Sequence, residues 1–171
     1  MTKKFMTLSI LMTGMLVAWP VAAGNPPSAS GHGEIAFVIP GPGTTRSVQY
    51  SFVAHQLKSG VKGQAEILFD GFTRFHVDVD CLTITQLGPP SIPPIATVGG
   101  IVTNVQTAGA PPFIAEGARV FFTMRDRGEG SNDPPDQLGL PAFLPPGSPF
   151  VCPEQVTFPL LNTEGNVQVR P

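Results

Sequence analysis

Indole and phenol side chains are almost missing from this sequence, which holds one tryptophan, Trp19, and one tyrosine, Tyr50. A stacked Trp or Tyr platform for sugar rings is therefore unavailable, which argues against a typical carbohydrate-binding module. Charge is scarce too. Asp, Glu, Lys and Arg make up 13% of the residues, about half the ~25% usual in globular domains. No basic stripe is left for nucleic acid. There are three histidines, His32, His55 and His76. The signatures Gly-x-Ser-x-Gly, His-Glu-x-x-His and Cys-x-x-Cys are absent, as is a phosphate-cradling loop. No catalytic or cofactor-binding residue can be assigned on that basis. No helical period runs long enough to predict a helix beyond the N-terminal apolar run.

That run has a specific context. Met1-Thr2-Lys3-Lys4 is a short basic start, Phe5 to Trp19 is uncharged and apolar, and Pro20-Val21-Ala22-Ala23-Gly24 supplies small residues. Positive, apolar, then small is the order of a secretory signal peptide. The apolar run is shorter than the ~20 residues of a spanning helix. We therefore expect residues 1–23 to be a signal peptide cut after Ala23, with a secreted or periplasmic product and no membrane attachment after cleavage. Removing residues 1–23 leaves 148 (171 minus 23), enough for one domain with a real core. Lys3 and Lys4 leave with the signal, so the mature charge is −4 (8 basic minus 12 acidic).

Beyond the signal, residues 24–31 are rich in Pro and Ser and are expected to be a flexible N-terminus. Residues 32–171 form the expected single β domain. Their period is two. Val48, Tyr50, Phe52 and Ala54 alternate with polar neighbours, and so do Phe75, Val77, Val79 and Cys81. Shorter alternations occur at Ile35 to Ile39, Ala65 to Phe69, Val120 to Met124, and Val167 to Val169. Gly99-Gly100 between Val98 and Val102 predicts a bulge. Gly- and Pro-rich punctuation separates these runs. The expectation is an all-β, antiparallel sandwich or small barrel of seven or eight short strands. The Pro-rich stretch Gly139 to Pro153 reads as irregular edge or loop.

Three constellations could carry chemistry. Cys81 and Cys152 are an even pair in an exported chain, which predicts a disulfide between the fourth strand and the Pro-rich segment. A free buried pair is the alternative. His76, Asp78 and Asp80 share a strand face, either as a solvated surface or as part of a metal site. Asp126, Glu129, Asp133 and Asp136 crowd a loop bent by Gly128 and Gly130. It reads either as a wet hairpin tip or as a calcium loop in which Asp126, Glu129 and Asp136 supply ligands. No other cofactor is expected.

A series of short signatures runs through the chain: Gly31-His32-Gly33, Gly63-Gln64-Ala65, Asp80-Cys81-Leu82, Ala96 to Gly100, Val120-Phe121-Phe122, Asp126 to Gly130, Pro134-Pro135-Asp136, Cys152-Pro153 and Gly165 to Val169. In this order they resemble a group of small secreted β-domain proteins of environmental bacteria. Similar domains occur at the C-terminal end of larger cell-surface proteins. The resemblance covers most of the mature chain and implies no assigned activity. Residues Gln86 to Pro94 depart from it as an inserted loop. The leading expectation is a non-enzymatic extracytoplasmic domain, structural or interaction-mediating. One alternative is a barrel carrying a small apolar ligand among its eleven mature phenylalanines. The other is a hydrolase of unrecognised type, since triads and carboxylate pairs are recognised by geometry.

Overall fold

The computed structural model describes residues 25–38, 44–70, 73–89, 91–106, 113–128, 132–153 and 159–171. The expected signal peptide, 1–23, lies outside them. Among the described residues all regular structure is strand, and no helix is long and apolar enough to cross a membrane. The long strands are β1 (Ser28–Val38), β2 (Thr45–Leu57), β3 (Gly60–Phe69), β4 (Thr73–Thr85) and β5 (Ile95–Gln106). Then come β6 (Arg119–Arg125), β7 (Gln137–Gly139), β8 (Ala142–Leu144), β9 (Leu160–Asn162) and β10 (Glu164–Arg170). They form one antiparallel sheet in the order β10-β1-β2-β3-β4-β5-β6-β7-β9, with β8 beside β6.

The period-two pattern is what folds this sheet on itself. Val48, Tyr50, Phe52 and Ala54 of β2 all point inward and are buried, as do Val120, Phe122 and Met124 of β6. The two strands face each other through the core: the Phe122 ring centre lies 5.0 Å from that of Tyr50 and 5.3 Å from that of Phe52. Phe75, Ile35, Ile67 and Leu138 fill the same cluster. Each fully buried side chain of this size contributes about 1.5–3 kcal/mol.

The ends of the ladder order meet in the chain itself. β9 pairs with β7 at one end and β10 pairs with β1 at the other, yet only Thr163 separates β9 from β10. The Thr163 N–H donates to the carbonyl oxygen of Asp136 at 2.9 Å. Its hydroxyl donates to the Glu34 carbonyl at 3.0 Å. One residue therefore turns the chain from one end of the sheet to the other.

Three expectations are corrected. Ser28 to Gly31 belong to β1, not to a flexible N-terminus, because their backbone is paired with β2 on one side and β10 on the other. Ala29 is fully buried there. A Cβ on Gly31 would meet the backbone of Asn166 and Val167, so small side chains are what the site requires. Secondly, the strands among the described residues number ten. The added ones, β7, β8 and β9, are three residues each, and β7 and β8 find ladder partners on β6 between prolines. Thirdly, the bulge lies opposite Gly99-Gly100 but its extra residue is Asp80. Val79 pairs with Gly100 and Cys81 with Gly99. Asp80 breaks the alternation, so Leu82 joins the core cluster while Cys81 turns away from it. Gly100 allows the close crossing, since a Cβ there would press on the Asp78 carbonyl.

Candidate functional site

Strands β2 to β5 bring side chains distant in sequence into one outer row. Ser51 is paired with Glu66, Glu66 with His76, and His76 with Asn104. A second row, Val53, Gln64, Asp78 and Ile101, runs beside it. The two rows line an open trough of about 720 Å³. It continues into a neighbouring depression of about 610 Å³ that shares Val53, Gln64 and Asp78. Glu66 sits between two partners, 3.7 Å from the Arg74 Nε and 3.6 Å from the His76 Nε2. The same His76 nitrogen lies 3.4 Å from the Gln106 amide nitrogen. Strand-borne groups of this kind are held by ladder hydrogen bonds and keep fixed spacings.

The row containing His76, Asp78 and Asp80 is divided by the bulge. His76 and Asp78 border the trough. Asp80 instead accepts two hydrogen bonds from Arg119, at 2.9 and 2.8 Å, and the Arg119 guanidinium carbon lies 3.9 Å from the Phe150 ring centre. The alternative of three groups converging on a metal is not met by this strand. Glu66, Ser51 and Asn104 were not singled out in the sequence, because only strand register brings them to His76.

Beside this row the two cysteines are joined. Cys81 and Cys152 form a disulfide with Cα atoms 5.5 Å apart and a sequence separation of 71. The bulge makes the bond possible. It delivers Cys81 to the outer face, where the Thr83 hydroxyl also lies 3.1 Å from the Cys152 sulfur. Thr97 and Thr123, on the same side, are buried as well. The bond is compatible with an oxidising, extracytoplasmic location.

The acidic loop does a job the sequence did not reveal. Asp126 follows β6 directly and Asp136 immediately precedes β7. The Asp136 carboxylate is buried; it accepts the Val167 N–H at 2.7 Å and the Arg127 N–H at 2.8 Å. Asp126 is half-buried, and it accepts the Val169 N–H at 3.2 Å and the Gly128 N–H at 2.9 Å. All four carboxylate oxygens thus serve backbone amides. Val167 and Val169 carry amides of β10 that face away from β1, so two side chains stand where a neighbouring strand's carbonyls would be. Glu129, the third residue of the expected calcium set, lies outside the described residues. Among the described residues no three His, Cys, Asp or Glu side chains are grouped so as to hold a metal ion.

After β4 the Gln86 amide donates to the Pro89 carbonyl at 3.2 Å and to the Ile92 carbonyl at 2.6 Å. Leu87 and Ile92 are exposed. No protein-family model, curated protein or solved structure matches the chain.

Proposed function

We propose that the chain is a secreted, non-enzymatic β domain that mediates an interaction through the outer trough of β2 to β5. The observation that carries this reading is the double row across four ladder-bonded strands. It offers Ser51, Gln64, Glu66, His76, Asp78 and Asn104 at fixed spacing on an open surface. Such a face can be read along its length by an extended polar ligand, and its hydrogen-bonding groups do not depend on a loop closing over it. The N-terminal leader pattern and the disulfide both support export.

The test is binding by the purified domain against a panel of polysaccharides and extended peptides, with product analysis of each mixture. The comparison protein carries Glu66→Ala, His76→Ala and Asp78→Ala. Retention of a panel member by the parent, its loss in the triple variant and an unchanged melting temperature are the expected results. Equal retention by both proteins would sink the trough as the site. Cleavage of a panel member would replace the reading with the hydrolase alternative.

A further inference from the structure

We propose that Asp126 and Asp136 form a latch that keeps β10 in its own sheet, and that the unlatched strand exchanges into a second copy of the chain. The argument starts from how β10 is held. On one side it has a continuous ladder to β1, from Ser28 opposite Arg170 to Glu34 opposite Glu164. On the other side two outward amides, those of Val167 and Val169, are bound by the two carboxylates. Only Val167 and Val169 of this strand are buried in the core.

The β1 ladder alone specifies β10 weakly. Gly31, Gly33 and Gly165 sit at the crossing, and a Cβ on any of them would strike the facing backbone or Thr163. Strands paired through glycine, with few apolar side chains, are prone to slippage and exchange. The latch adds specification against a slip toward the C-terminal end, because its acceptors fit two amides spaced i and i+2. A slip of two residues that sets Val169 against Asp136 puts Pro171 against Asp126, and proline has no N–H to give.

The hinge favours exchange over simple fraying. Thr163 alone joins β9 to β10, and a one-residue hinge under bend is the arrangement that invites strand swapping. β10 leaves its place in the sheet by opening its ladder to β1 and its two carboxylate contacts. The site it vacates beside β1 fits an identical strand from a second copy, with the same register and the same contacts.

The decisive variant is Asp126→Asn with Asp136→Asn, leaving the Cys81–Cys152 bond intact. Each asparagine keeps its size but turns an N–H₂ toward a backbone N–H, so one acceptor per side chain is lost. Light scattering of the folded variant is expected to show a concentration-dependent dimer not formed by the parent. Ser30 and Gln168 face each other in the ladder. Cysteines placed at both are expected to crosslink within one chain in the parent and between chains in the latch variant, read on a non-reducing gel. A folded variant with the parent's mass overturns the latch. A dimer whose crosslink stays within one chain overturns exchange in favour of edge pairing. If the double variant does not fold, Asp126→Asn alone is measured by hydrogen exchange. The Val169 amide is expected to exchange about tenfold faster or more, with the Phe122 amide unchanged; equal Val169 rates overturn the proposal.

Discussion

Tyr50 on β2 donates its hydroxyl to the carbonyl oxygen of Gly139 on β7, 2.8 Å away through the core. The contact ties the second strand to the short strand beside β6, 89 residues later. Burial pushes the Tyr50 phenol well above its usual value, since the phenolate has no water there. A pKa raised in the fold means stability that is whole below the unfolded value of about 10 and lost as pH rises past it. Stability is expected to fall by about 1.4 kcal/mol per pH unit in that alkaline window. Tyr50 is the only tyrosine, so tyrosinate absorbance should appear together with unfolding rather than before it. Tyr50→Phe should remove this contribution to the slope and cost about 1 kcal/mol at neutral pH.

The Cys81–Cys152 bond closes a loop with a sequence separation of 71. In the chain-entropy model this is worth about 4 kcal/mol. Cys81→Ser with Cys152→Ser should lower the unfolding free energy obtained from denaturant titration by that amount. Thiol titration of the unfolded parent should give no free group before reduction and two after it.

Asp136→Ala leaves the amides of Arg127 and Val167 without their acceptor and should cost about 2–3 kcal/mol. Asp126→Ala should cost less, since that side chain is half-buried. The Asp136 loss should be equal in ~5 mM calcium, above the usual range of extracellular sites, and in excess chelator. The partners lost are backbone amides, and denaturant melts in the two buffers check it.

Gly100→Ala drives a methyl group into the Asp78 carbonyl at the bulge. The expected cost is about 1–3 kcal/mol, measured by thermal unfolding. His76→Ala, on the half-exposed outer row beside it, should change stability by less than about 1 kcal/mol.

Much of this architecture is written in alternation. The inward sets of β2, β4 and β6 are legible because large apolar residues recur every second position. β1 was legible only from Ile35 on. Its first half uses Ala29, Gly31 and Gly33, whose fit depends on the facing backbone and leaves no hydrophobic signal. The disulfide was legible from two cysteines, but the face it occupies was not, because one bulged residue reverses the parity of everything after it. The trough depends on register between four strands. The role of Asp136 and Asp126 depends on amides 31 and 43 residues away in sequence, which no local acidic pattern can disclose.

Ser28 lies opposite Arg170, so the first described strand finds one of its two neighbours in the last. During synthesis β1 has β2 to lean on and nothing else until residues 164–170 emerge. Contacts of such long sequence separation close slowly. The ladder on both sides of β1 is therefore completed only after β2 to β9 have been made.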